Sequence, residues 1–359
     1  MQREKGENTH INLKKKPFFP VSHTLRKYLK NHGRLKKLPI AYDDLMKYDG
    51  SFPYYNKQGK DTLWETVHFN PLSTEKIHQS LAFVYSLLKT DGDTSVMEHL
   101  YVDRIDYCSF GNSNPFRVRI VNQLNDNFDY FYVKKADSSR IYGLELEHIL
   151  SPNRINYLVY KDTIIEEHIA GIPGDVFMNE YMQRKHFKES SYNKVRIAKE
   201  FVKFNERCFI RLLGDMRSYN YVIDVTPDFE GEQYRIRAID FDQQSYEGKR
   251  TLYLPQFFKE NNQIVNFCIE LMTPQTVKQY QYEERTLMTR RYRSAKNKIR
   301  ELIAGMCEEQ LSTNEKIEQL KNELNAYHHT EDFFTCTCMG DIVRVHLKLM
   351  LDKSILTTR

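Results

Sequence analysis

From residue 74 to 89 apolar residues return every three or four positions (Ile77, Leu81, Val84, Leu87, Leu88). That is the stripe of an amphipathic helix, with Ser73 placed to cap it and Thr90-Asp91-Gly92-Asp93 to end it. Near residue 100 the period changes to two. Residues 101–109, 116–121 and Phe128–Lys135 read as three strands, joined by turns at 110–115 and 122–127. Ser138–Leu150 then reads as a helix, and 154–160 and 163–169 as two further strands. Ala170-Gly171-Ile172-Pro173-Gly174 breaks the pattern as a hinge-like connection. Helices are expected over 176–186 and 192–213, the second with a wide apolar face that includes Ile197, Phe201, Phe204 and Cys208. A short hairpin (221–223 and 234–239) precedes more helices over 257–272, 276–305, 313–327 and 341–352, the third opened by a capping box of Ser312 and Glu315. Residues 1–22 read as a charged leader, and 23–60 as a short basic helix followed by turns.

The expected organisation is therefore α+β in three parts. Residues 1–95 form a leader and helical extension, 96–170 a β-rich unit, and 171–359 a mainly helical unit. Composition leaves this picture intact: 359 residues, 40% hydrophobic and 28% charged, suit a water-soluble chain of two or three domains. A net charge of +5 is too small to point to nucleic acid. No apolar run reaches the ~18 residues of a membrane helix, and the polar, basic start has no apolar core of a secretory signal. Six scattered cysteines read as reduced thiols of a cytoplasmic protein. His328 and His329 with Cys336 and Cys338 have poor spacing for a metal site. The basic face of Arg290, Arg291, Arg293, Lys296 and Lys298 reads as solvated.

The chemistry concentrates in residues 214–242. Asp215 ends a helical pattern and Asn220 begins the hairpin, whose return strand leads into Asp240-Phe241-Asp242. Three oxygen-bearing side chains thus meet at one end of a short β-ribbon, a donor set suited to Mg²⁺.

Together with a lysine on the third strand, an acidic helix and the Gly-Pro hinge, this order resembles the protein kinase-like superfamily. The likeness is to its small-molecule kinase (aminoglycoside phosphotransferase-like) and toxin-kinase branches, and it covers residues 100–250. It implies a two-lobed fold, with a small antiparallel β lobe and a larger helical lobe, that binds ATP and Mg²⁺ and moves the γ-phosphate to a hydroxyl acceptor. Lys134 would hold the phosphates, paired to a helix glutamate, Glu147 or else Glu145; Lys135 is the alternative lysine. Gly111, Asn112 and Ser113 would lie over the phosphates, and Glu167 to Ile169 along the adenine edge. Asp215 would be the base, Arg217 would reach the transferred phosphate, and Asn220 and Asp240 would hold the metal. The phosphate loop has one glycine where protein kinases have three, and Asp242 stands where they have glycine. The acceptor is expected to be a small molecule, with a partner protein as a role for the N-terminal extension. The alternatives are a catalytically weak, pseudokinase-like binding module and a nucleotidyl transferase on the same fold.

Overall fold

The computed structural model describes residues 16 to 351 apart from positions 57, 91, 93, 111 and 112. Helices α1 (His23–Asn31) and α2 (Tyr42–Leu45) lead into a hairpin of β1 (Gly50–Tyr55) and β2 (Asp61–His68). Helix α3 (Pro71–Thr90) and strands β3 (Leu100–Tyr107), β4 (Phe116–Asn122) and β5 (Phe128–Lys135) follow. Next come α4 (Ser138–Leu150), β6 (Tyr157–Tyr160) and β7 (Thr163–Glu167). These strands build one antiparallel sheet of seven, in the order β1-β2-β3-β4-β5-β7-β6.

Two of these strands depart from expectation. Residues up to 60 read as turns and all of 1–95 as a helical extension, yet 50–68 form β1 and β2 and add to the sheet. Pro53 and mostly exposed side chains hide β1 from a period-two reading. A proline is tolerated there because β1 is an edge strand, with one side free of ladder bonds. Helix α3 starts three residues earlier than expected. Pro71 is its first residue, and the Asn70 side chain accepts the Leu72 N–H (3.0 Å), so Ser73 is not the cap.

Beyond residue 170 the chain turns helical around a small second sheet. Strand β8 (Ile172–Pro173) pairs with β9 (Tyr221–Asp228), which pairs with β10 (Gly231–Ala238). The expected hinge is therefore pinned. Gly171 has φ 150° and lies so close to Val222 that a Cβ would stand 2.9 Å from its side chain. The expected helix over 176–186 is broken into α5 (Gly174–Asn179), a 3₁₀ turn (Tyr181–Gln183) and α6 (Lys185–Glu189). The long α7 (Ser191–Arg211) ends at Leu212 in the left-handed region (φ 53°). Helices α8 (Asn262–Leu271), α9 (Pro274–Ser294), α10 (Lys296–Glu308), α11 (Asn314–His328) and α12 (Met339–Leu351) complete the fold.

The single helix expected over 276–305 is two. No breaker residue lies at Ala295; α10 turns there to pack on α1, α4 and α12. Nor do Ser312 and Glu315 form the capping box. Thr313 caps α11, and the Ser312 hydroxyl donates to the Tyr246 carbonyl (2.6 Å).

Two apolar cores result. One lies between the sheet and α3, with Leu81, Val84, Val102, Phe116, Phe131 and Ile165. The larger one surrounds α4 and α7 and extends through α10 to α12. Among the described residues no helix is long and apolar enough to cross a membrane.

Candidate functional site

Strand β5 brings Lys134 to the inner face of the sheet, 8% exposed, while Lys135 points outward. Successive side chains on a strand face opposite ways, so only one of the two can enter the interior. Lys134 Nζ donates to Glu166 Oε2 at 3.0 Å. Glu166 stands on β7 opposite Tyr132, which makes it the diagonal cross-strand neighbour of Lys134.

This corrects the expected pairing. Neither helix glutamate reaches Lys134. Glu147 is buried against Arg211 of α7 and accepts from Asn153 Nδ2 (3.1 Å). Glu145 is bound by Arg34, Tyr28, Tyr157 and Lys298. Helix α4 is buried on nearly every side, so its carboxylates serve the helices around it instead of β5.

What α4 contributes is Arg140, in its first turn and 1% exposed. Its guanidinium forms a bidentate pair with Glu166 and also donates from Nη1 to Asp240 Oδ1 (3.0 Å) and Asp242 Oδ1 (2.8 Å). One network therefore links β5, β7, α4 and the segment after β10. Ser139 fastens that segment to α4 by donating to the Asp242 and Gln244 carbonyls. Gly143 allows close packing there, since a Cβ would stand 2.9 Å from that of Phe241.

Asp215 and Asn220 complete the margin. The loop after α7 is tied down by Gly214 N–H on the Gln243 carbonyl (3.2 Å) and Asp215 N–H on that of Leu252 (3.1 Å). Asp215 adopts φ 56°, a strained conformation that aspartate tolerates better than most residues. Asn220 Nδ2 donates to the Asp215 carbonyl (2.7 Å), which leaves the amide oxygen as its acceptor atom. The Ile239 and Asp240 N–H groups both point at the Asn220 carbonyl, at 3.0 and 3.4 Å. Arg217 Nε lies 2.9 Å from Asp215 Oδ1, and its Nη1 donates to the Tyr219 hydroxyl.

The electrostatics are uneven. Although burial opposes it, Arg140 and Lys134 hold Glu166 down at about 2. Burial, and then Arg140, push Lys134 down. Asp240 goes the other way: burial and the neighbouring Asp242 raise it. Burial also lifts Asp215 to about 6, against the opposing pull of Arg217 and with help from Asp240. Lys134 and Arg140 supply two positive charges and Glu166, Asp240 and Asp242 three negative ones. Asp215 and Arg217 cancel. Carboxylates crowded beside an asparagine side chain are a donor set that fits a hard dication such as Mg²⁺.

The remaining candidates divide. Ser113 and Asn114 line a cavity of about 290 Å³ with Lys135, Asp242, Tyr42 and residues 16–18. Gly111 and Asn112 lie outside the described residues. The N–H groups of Glu167 and His168 are engaged with the carbonyls of Asn156 and Tyr130, and Ile169 is buried in the core. Arg140 and Glu166 were missed from sequence. Glu166 follows an apolar pair and precedes a second glutamate on β7, so no alternation singles it out. Asp242, noted without a role, is an Arg140 partner. No family model matches the sequence, and no curated protein matches it.

Proposed function

We propose that the chain is a two-lobed, kinase-like phosphotransferase. It would bind ATP with Mg²⁺ between the seven-stranded sheet and the helical region, and pass the γ-phosphate to a hydroxyl of a small-molecule acceptor. What carries the reading is the single network that ties Lys134 and Glu166 to Arg140, Asp240 and Asp242, with Asp215 and Asn220 at its edge. Separate stretches of chain have no packing reason to gather four buried charges and a half-buried one, since burying ions costs more than apolar packing at the same place.

In this reading Lys134 is the point cation for the phosphates, fixed in direction by Glu166. Asp240 and Asn220 are the ligands for Mg²⁺, which when bound neutralises phosphate charge. Asp215, held near 6 and so ionised at neutral pH, accepts the acceptor's hydroxyl proton. That oxygen bonds to the γ-phosphorus as the bond to the β-phosphate oxygen breaks and ADP leaves. Arg217, paired with Asp215, is the residue that would reach the transferred group.

One observation favours the second reading, a binding module without turnover: Arg140 already occupies Asp240 and Asp242 with a guanidinium. Phosphate release or transfer from γ-labelled ATP with Mg²⁺ separates the two. Turnover by the wild type that is lost in Asp215→Asn and Asp240→Ala supports the phosphotransferase. Full activity in both variants would sink it.

A further inference from the structure

Away from this site, three ligating side chains meet that sequence spacing did not join. Cys307 lies in the last turn of α10, Cys338 directly precedes α12, and Asp341 lies in its first turn. Their sulfur and oxygen atoms all lie within 4.8 Å of one another. The histidines once grouped with Cys338 are elsewhere: His328 meets His346 (3.1 Å), and Cys336 is buried in the core.

The cluster is supported from behind. Asp341 Oδ2 accepts the Thr337 N–H and hydroxyl (3.1 and 3.0 Å), which fixes the carboxylate's direction. Its Oδ1 lies 3.7 Å from Cys307 Sγ and takes a hydrogen bond from Arg344, a largely exposed side chain that can swing aside. The Asp341 N–H is aimed at Cys338 Sγ (3.3 Å). Gly340 makes the approach possible, because a Cβ there would stand 2.7 Å from both the nitrogen and the sulfur of Cys307. Beside the cluster is a cavity of about 210 Å³ lined by Cys307, Lys296, Arg300 and Arg344.

We propose that Cys307, Cys338 and Asp341 form a zinc site that clamps the start of α12 to the end of α10, with a water in the fourth position facing that cavity. Two thiolates and a carboxylate are a donor set that selects Zn²⁺ over hard cations. Binding releases the two thiol protons to solvent. The bound site then carries one net negative charge, which Lys296, Arg300 and Arg344 face across the cavity. The proposal does not depend on the phosphotransferase reading.

Titration of the reduced full-length chain with Co²⁺ tests it. The expected result is one Co²⁺ per chain with thiolate-to-cobalt charge-transfer absorption, displaced by Zn²⁺. Cys307→Ser and Cys338→Ser abolish that absorption. Asp341→Asn, whose shape is conserved, weakens binding about tenfold or more, while its circular dichroism without metal stays that of the wild type. Absence of charge-transfer absorption in the wild type overturns the proposal, as does absorption that survives in both cysteine variants.

Discussion

Helix α4 carries a buried charge network at each end, and the two are built differently. At its C-terminal half Glu145 receives Arg34, Lys298 and the hydroxyls of Tyr28 and Tyr157. Burial alone would raise that carboxyl, yet these partners hold it at about 2. The partners come from α1, the loop after it, β6 and α10, so the network binds all of these to α4. At its first turn Arg140 stands among three carboxylates, and two of the acids nearby, Asp240 and Asp215, are held above their ordinary values. The first network is complete within the protein. The second crowds three carboxylates around one guanidinium. In the proposed reading the contrast separates charges that hold a fold together from charges positioned for something brought in from outside.

Substitutions should therefore act on different quantities at the two ends. The largest effect is expected from Asp240→Ala, which removes the proposed metal ligand: phosphate transfer from ATP falls by about 10³-fold or more, while the urea midpoint stays near that of the wild type. Glu145→Ala should do the reverse. It strands Arg34 and Lys298 and costs about 3–5 kcal/mol of stability, read from urea unfolding, with turnover per folded molecule unchanged. If Glu145→Ala abolished turnover in a chain that melts normally, the contrast would collapse. Glu166→Gln is intermediate. It frees Lys134 from its guide, and kcat/KM should fall about 10²-fold, mainly through KM for the nucleotide.

The pH dependence gives smaller effects. Asp215 must be ionised to accept a proton, so kcat/KM should fall about tenfold per unit below pH ~6, and Asp215→Asn has no such limb. The sign for stability is opposite. A carboxyl held above its unfolded value binds its proton more tightly when folded, so stability is lost as pH rises from the unfolded value through about 6. Asp215→Asn should thus melt about 2 °C higher at neutral pH, and no higher in acid.

Much of the fold is legible in the residues that alternate or repeat strongly. Phe128–Lys135 and Ser138–Leu150 appear with the limits read from the sequence. Elements without one clear apolar face were not: β1 is exposed along most of its length, and the break at Ala295 follows only from what α10 packs against. At the candidate site the same distinction holds. Asp215, Asn220 and Asp240 are visible because a helix end and a hairpin place them by local geometry. The partner of Lys134 is not, because Glu166 reaches it across a strand pairing, and Arg140 reaches Asp242 across 102 residues. Local pattern carries no record of such meetings.

The central proposal is that the network around Arg140 binds a metal-bound nucleotide. Melting of the chain with ATP, with and without Mg²⁺, tests it most directly. The account predicts that ATP raises the wild-type melting temperature only when Mg²⁺ is present, and that Asp240→Ala loses the rise while melting like the wild type without nucleotide. An equal, Mg²⁺-independent rise in both proteins, or no rise in either, would contradict it.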